Sequence, residues 1–226
     1  MSFLGTAAIV ARKDLVVETR SREVIYTSLL FAISCMLVFA FGLVKEGRVV
    51  ADAAAAILWI TIAFAGTLAL SRIFDRERQN ETLRALLLAP APRAAIYVGK
   101  LIGVFGLLLL VEAVVVPLVV LMFDADLFAH PGMMIALLVS GSAGYAAVGT
   151  LFAAMLARTH SRGALLPVLL YPMTVPVIIG GVRGTAALLQ PEAEPAIARA
   201  WLMMLISFDA VFITLSLWTF EPAMTE

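Results

Sequence analysis

Along the chain, long apolar runs are interrupted at a few places by clusters of charge. Residues 3–22 (FLGTAAIVARKDLVVETRSR) mix the two kinds. Leu4, Ala8, Ala11 and Leu15 share a helical stripe, with Lys13 and Arg20 opposite. The pattern fits an amphipathic helix lying in a membrane interface, or an ordinary charged tail. Six apolar stretches follow, approximately 24–44, 53–70, 95–122, 133–156, 164–182 and 200–220. Each can supply the ~20 residues of a membrane-crossing helix. The fifth contains Pro167, Pro172 and Pro176, which predicts a kinked or broken helix.

The most charged interruption is Ser71–Arg93, SRIFDRERQNETLRALLLAPAPR. Asn80 can cap a short helix with Glu81 in its first turn, and Pro90 and Pro92 stop it. Leu83, Leu86 and Leu87 then form one apolar face, beside Arg84 and behind the charged flank Asp75, Arg76 and Arg78. Such a face must rest on the membrane, on another loop or on a partner. Two readings stand: a coupling helix seated in a partner's groove, or a solvated loop that orients the chain by its positive charge.

Composition explains why the apolar runs read as membrane spans. The chain has 226 residues, of which 62% are hydrophobic and 14% charged, with a mean hydropathy of +1.02. Soluble domains carry about a quarter charged residues. The formal net charge is zero, so it points to no nucleic-acid partner. Cys35 stands alone in an apolar run and reads as a small buried hydrophobe. The first residues are too charged for a cleavable signal peptide. Lys and Arg sort strongly between the connections. Arg12, Lys13, Arg20, Arg22, Arg72, Arg76, Arg78, Arg84, Arg93, Lys100, Arg158 and Arg162 fall on one side; Lys45, Arg48, Arg183 and Arg199 fall on the other. The bias predicts cytoplasmic termini, a cytoplasmic Ser71–Arg93 loop, and outer connections at 45–52, 123–132 and 183–199. The first three spans do not resemble the last three, which weighs against an inverted-repeat secondary transporter.

For chemistry, the sequence has no GxxxxGK[ST] phosphate loop, no HExxH and no Cys/His cluster. Neither catalysis nor a directly bound metal or cofactor is expected, so ATP hydrolysis would belong to a partner. His130 and His160 lie on opposite sides of the membrane and read as loop residues. Glu112 and Asp209 fall inside spans with no Lys or Arg at their depth, and Ser140 and Ser142 lie at a similar level. They could line a passage or a subunit contact, or be neutral carboxyls hydrogen-bonded to backbone or serine. Gly99 and Gly103 form a GxxxG, and Ser140, Gly141, Ser142 and Gly144 cluster in the fourth span. Such positions allow close helix packing.

Three stretches, ARKDLVVETRSREVIYTSLLFAISCMLVFAFGL (11–43), GTLALSRIFDRERQNETLRALLLAP (66–90) and LLPVLLYPMTVPVIIGG (165–181), resemble a known family in order and spacing. It is membrane protein B of the cytochrome c maturation system, the heme exporter permease. The resemblance implies an all-α integral membrane fold of the ABC-2 exporter type. That fold has six transmembrane helices, an interfacial N-terminal helix and a cytoplasmic coupling helix between spans two and three, here Glu81–Ala89. It also implies a homodimer in the bacterial inner membrane, working with a separate cytoplasmic ABC ATPase that binds ATP. Further implied partners are a heme-handling membrane protein, a small membrane protein associated with it and, through the complex, a periplasmic heme chaperone. Heme would be handled by the complex. The chain itself lacks the tryptophan-rich outer segment and outer histidine pair expected of a heme-holding site. An ABC-2 permease for a drug, lipid or polysaccharide would share the fold; a standalone secondary transporter or assembly scaffold would have no ATPase partner.

Overall fold

Apolar segments that cross a bilayer must satisfy every backbone polar group internally, and the described apolar segments of this chain do so as helices. The structure, a computed structural model, describes residues 2–43, 51–79, 92–156, 162–190 and 192–223. Among them are seven helices and no strand: α1 (Phe3–Ser21), α2 (Glu23–Leu43), α3 (Ala51–Gln79), α4 (Arg93–Phe123), α5 (Pro131–Leu156), α6 (Arg162–Leu189) and α7 (Pro195–Ala223). Helices α2 to α7 are each long and apolar enough to span; the protein is a polytopic membrane protein. The Ser2 hydroxyl accepts the Gly5 N–H at 3.2 Å to cap α1. Arg22 then takes a left-handed backbone, φ 53°, and turns the chain sharply into α2.

Helices α3 and α5 form the centre; 72% of each apolar segment is buried, against 11% for α7. Small residues bring them there. Gly141, Gly144 and Gly149 of α5 face Trp59, Asp209 and Leu70, and any Cβ at these positions would run into those side chains. Gly181 of α6 meets the other side of the Trp59 indole, whose Nε1–H donates to Thr185 Oγ1 at 3.0 Å. In lipid, where apolar burial drives little association, such close approach and interhelical hydrogen bonds hold helices together. A second polar link joins α3, α5 and α6. Tyr145 Oη lies 2.6 Å from Thr67 Oγ1 and donates to the Ala63 carbonyl at 2.6 Å, while Tyr171 Oη is 3.2 Å from Thr67.

Three expectations change. Helix α6 is unbroken from Arg162 to Leu189 despite three internal prolines. Flanking helices α3, α5 and α7 pack along it, and the Thr174 hydroxyl bonds the Leu170 carbonyl at 2.9 Å. Because α6 runs on past Arg183, and Arg199 lies within α7, the outer connection shrinks to the residues between Leu189 and Pro195. Cys35 is only half-buried.

Helices α3 and α4 overshoot a bilayer. At a rise of ~1.5 Å per residue, their 29 and 31 residues exceed the ~30 Å hydrocarbon core. The overshoot of α3 carries Arg72, Asp75 and Arg76. The aromatic ring of Phe220, near the end of α7, packs on Tyr97 near the start of α4, centroids 5.3 Å apart. The end of α7 therefore lies at the end of the bundle where α4 starts.

Candidate functional site

The site builds from α1, which lies across the two stems of the charged connection. Gly99 has no side chain because a Cβ there would strike Val10 and the Ala7 carbonyl. The GxxxG of α4 thus serves to seat α1 rather than another span, with Gly103 beside Asp14. The buried stripe of α1 is Thr6, Ala7, Val10, Ala11 and Glu18. Of the apolar stripe read from the sequence, Leu4 and Leu15 are 78% and 48% exposed and Ala11 is buried, while Ala8 is exposed. The helix is turned relative to its apolar stripe because its small residues and acids find complementary groups on α3 and α4. The leucines are left to lipid.

Those acids form two clamps. Lys100, buried in α4, donates to Asp14 Oδ2 at 3.0 Å, and Lys13 lies 2.8 Å from Asp14 Oδ1. Arg76 at the end of α3 donates to Glu18 Oε2 at 3.1 Å and to Ser21 Oγ at 2.9 Å. The other oxygen of Glu18 accepts the Ile25 N–H at 3.0 Å, an orphan donor of the first turn of α2. One carboxylate therefore ties α1, α2 and α3, and its neighbour one turn away ties α1 to α4. Lys100 and Glu18 read in the sequence only as charges near a membrane. Their partners lie 86 and 58 residues away, and no local pattern announces them.

Of the residues singled out in the charged loop, Asp75 and Arg76 lie on the final turns of α3, and Arg78 follows within the same helix. Glu81, Leu83, Arg84, Leu86 and Leu87 lie outside the described residues, as does His160; His130 precedes α5, and its carbonyl accepts the Met134 N–H at 3.0 Å.

The intramembrane carboxyls fall on two sides of α5. Ser142 hydrogen-bonds Glu112 of α4, and Ser140 donates to Asp209 Oδ2 of α7 at 2.7 Å. Two residues apart on a helix, the serines point in nearly opposite directions. The structure thus makes two separate Ser–carboxyl pairs rather than one polar patch. Asp209 Oδ1 is buried against Gly144 with no hydrogen-bond partner among the described residues. The described residues hold no group of three or more His, Cys, Asp or Glu able to bind a metal.

Comparison with known proteins agrees with this architecture. The chain is 29% identical to heme exporter protein B of Rhodobacter capsulatus over 90% of its own length and 91% of that protein. It is 31% identical to heme exporter protein B of Paracoccus denitrificans over 76% and 78%, and 24% identical to that of Pseudomonas aeruginosa over 92% and 91%. A sequence model of the CcmB protein family matches residues 6–225, which takes in α1, all six spans and both stems of the charged connection. The chain belongs to the CcmB protein family.

Proposed function

We propose that this chain is the permease of an ABC-type heme exporter complex in cytochrome c biogenesis. The carrying observation is the family match across residues 6–225, supported by relatives named heme exporter protein B that align over most of their length. The chain is the non-catalytic, membrane-embedded partner: a separate cytoplasmic ATPase binds and hydrolyses ATP. The complex, completed by the heme-handling membrane protein and its small associate, delivers heme or releases the heme-loaded periplasmic chaperone. Two copies of this chain stand over two ATPases in the bacterial inner membrane, with both termini in the cytoplasm.

The architecture supports a specific route for the push. Helices α3 and α4 extend beyond the bilayer toward one connection, and Glu81–Ala89 within it carries Leu83, Leu86 and Leu87 as a docking face, with Arg78 and Arg84 toward the partner's charged rim. Arg76 is engaged by Glu18 and Ser21, so it holds the α3 stem to α1 instead of reaching outward. The test is copurification. Leu83→Asp combined with Leu87→Asp should abolish recovery of the ATPase with this chain while membrane insertion stays intact. Undiminished recovery overturns the interface.

A further inference from the structure

Helix α6 divides into two unlike halves. Pro167, Pro172 and Pro176 all lie in the first, where from Leu165 to Pro176 only Leu166, Leu170 and Thr174 are buried. From Val177 onward the helix is enclosed, and residues 184–188 are buried without a break. Gly180, Gly181 and Gly184 admit Leu205, Trp59 and Leu137 so closely that a Cβ at any of them would strike the facing side chain. The Trp59 indole N–H also bonds Thr185 in this half. The second half is clasped, and the first half is covered along one narrow stripe.

The first half is also intrinsically soft. A proline offers no N–H to the carbonyl four residues before it, and its ring crowds that carbonyl. Pro172 and Pro176 therefore deprive the carbonyls of Val168 and Pro172 of their helical donors. Helices kink at such places, yet α6 runs straight on through them as one helix. Tyr171 stands in the middle of the weakened stretch. Its ring meets Phe64 of α3 edge-on, centroids 5.9 Å apart at 82°, and its hydroxyl is hydrogen-bonded to Thr67 Oγ1 of α3 at 3.2 Å. Among the described residues this is the one side-chain hydrogen bond that joins residues 165–176 to another helix; the Thr174 hydroxyl bonds carbonyls of α6 itself. Thr67 is in turn held by Tyr145 of α5 at 2.6 Å.

We propose that residues 168–176 are a hinge and that Tyr171 is its pin. With the tyrosine seated on Phe64 and Thr67, α6 is straight; with the tyrosine released, the turns before Val168 swing away from the bundle while the clasped second half stays as the fixed mount. Phe64 and Thr67 belong to the same continuous helix as Asp75 and Arg76, so a displacement of that charged stem acts on the pin through α3. The device needs only α3 and α6, and it holds whatever cargo or partner the chain serves.

Leu166 reports the swing, because it is 1% exposed in the straight helix, whereas Val168 is 65% exposed. Membranes containing the full chain are illuminated with a small lipid-soluble aryl diazirine, and the labelled residues are mapped by mass spectrometry. In wild type, label is expected on Val168 and little on Leu166. Tyr171→Phe keeps the ring on Phe64 and removes only the hydroxyl. Loss of one hydrogen bond between neutral groups shifts an equilibrium by about two- to tenfold, so label on Leu166 should rise by about that factor. Leu188, buried in the clasped half, should not change. Pro172 and Pro176 are exposed, so Pro172→Ala with Pro176→Ala restores both N–H donors without opening a cavity. Added to Tyr171→Phe, this pair should return Leu166 to the wild-type level. Unchanged label on Leu166 in Tyr171→Phe overturns the proposal, and so does an equal rise at Leu188, which would mean general loosening. A rise that persists without the prolines removes the hinge. An unlabelled Val168 in wild type also overturns it, because a face packed on protein leaves α6 no room to bend.

Discussion

At the scale of single residues, the bundle depends on a few glycines that admit one aromatic ring. Trp59 is clasped between Gly141 and Gly181, with its indole N–H on Thr185. In a packed interior a methyl group that forces such a ring to move costs about 1–3 kcal/mol. Gly181→Ala should therefore lower the thermal midpoint of the detergent-solubilised protein. Adding Trp59→Phe should recover part of that loss, because the ring that had to move is smaller and the two sites are in contact. Strict additivity of the two changes would show that they do not share this contact. The types of these residues were visible in the sequence and their meeting was not. The glycine clusters marked close packing without saying against what, and Glu112 and Asp209 were recognisable as carboxyls needing a partner. That Ser140 and Ser142 would serve them on opposite faces of α5 follows from helical geometry only once both neighbours are placed.

At the scale of elements, α1 shows where pattern reading stops. Its existence and ends were legible from the alternation of charge and apolar residues, and the spans followed from length and hydropathy. Its orientation was not legible, because in a membrane lipid accepts leucines as readily as protein does. The face that docks is chosen by what lipid cannot offer: a glycine-lined seat at Gly99 and cations at Arg76 and Lys100. The same reasoning explains α6, whose prolines signalled a break that its packed neighbours prevent. Glu18 is the joint of this assembly. Glu18→Ala removes the acceptor for Arg76 and for the Ile25 N–H, and a lost bond to a charged group of this kind is worth about 1.5–3 kcal/mol. Thermal unfolding should register that loss. Glu18→Gln, which keeps an acceptor for Ile25, should lose less. Equal midpoints for all three proteins would show that α1 is held by its apolar contacts alone.

At the scale of the whole molecule, the segregation of Lys and Arg acquires a shape. Helix α1, the end of α3, the start of α4 and the end of α7 share one end of the bundle, and most of the charge the sequence assigns to one side gathers there. In a Cys35→Ser background, Asp126→Cys, in the turn after α4, should react with a membrane-impermeant maleimide in spheroplasts. Arg20→Cys, exposed on α1, should react only after permeabilisation. The reverse pattern would invert the chain and remove the charged connection from the ATPase side.

The Trp59–Thr185 hydrogen bond also bears on how the protein is made. Its partners are 126 residues apart, so when α3 leaves the ribosome and enters the membrane, the group that will satisfy its indole has not yet been synthesised. That bond forms only after α4 and α5 have been made and α6 follows them into the membrane. Only then does the centre of the bundle close, which makes the last third of the chain the step that turns inserted helices into a finished protein.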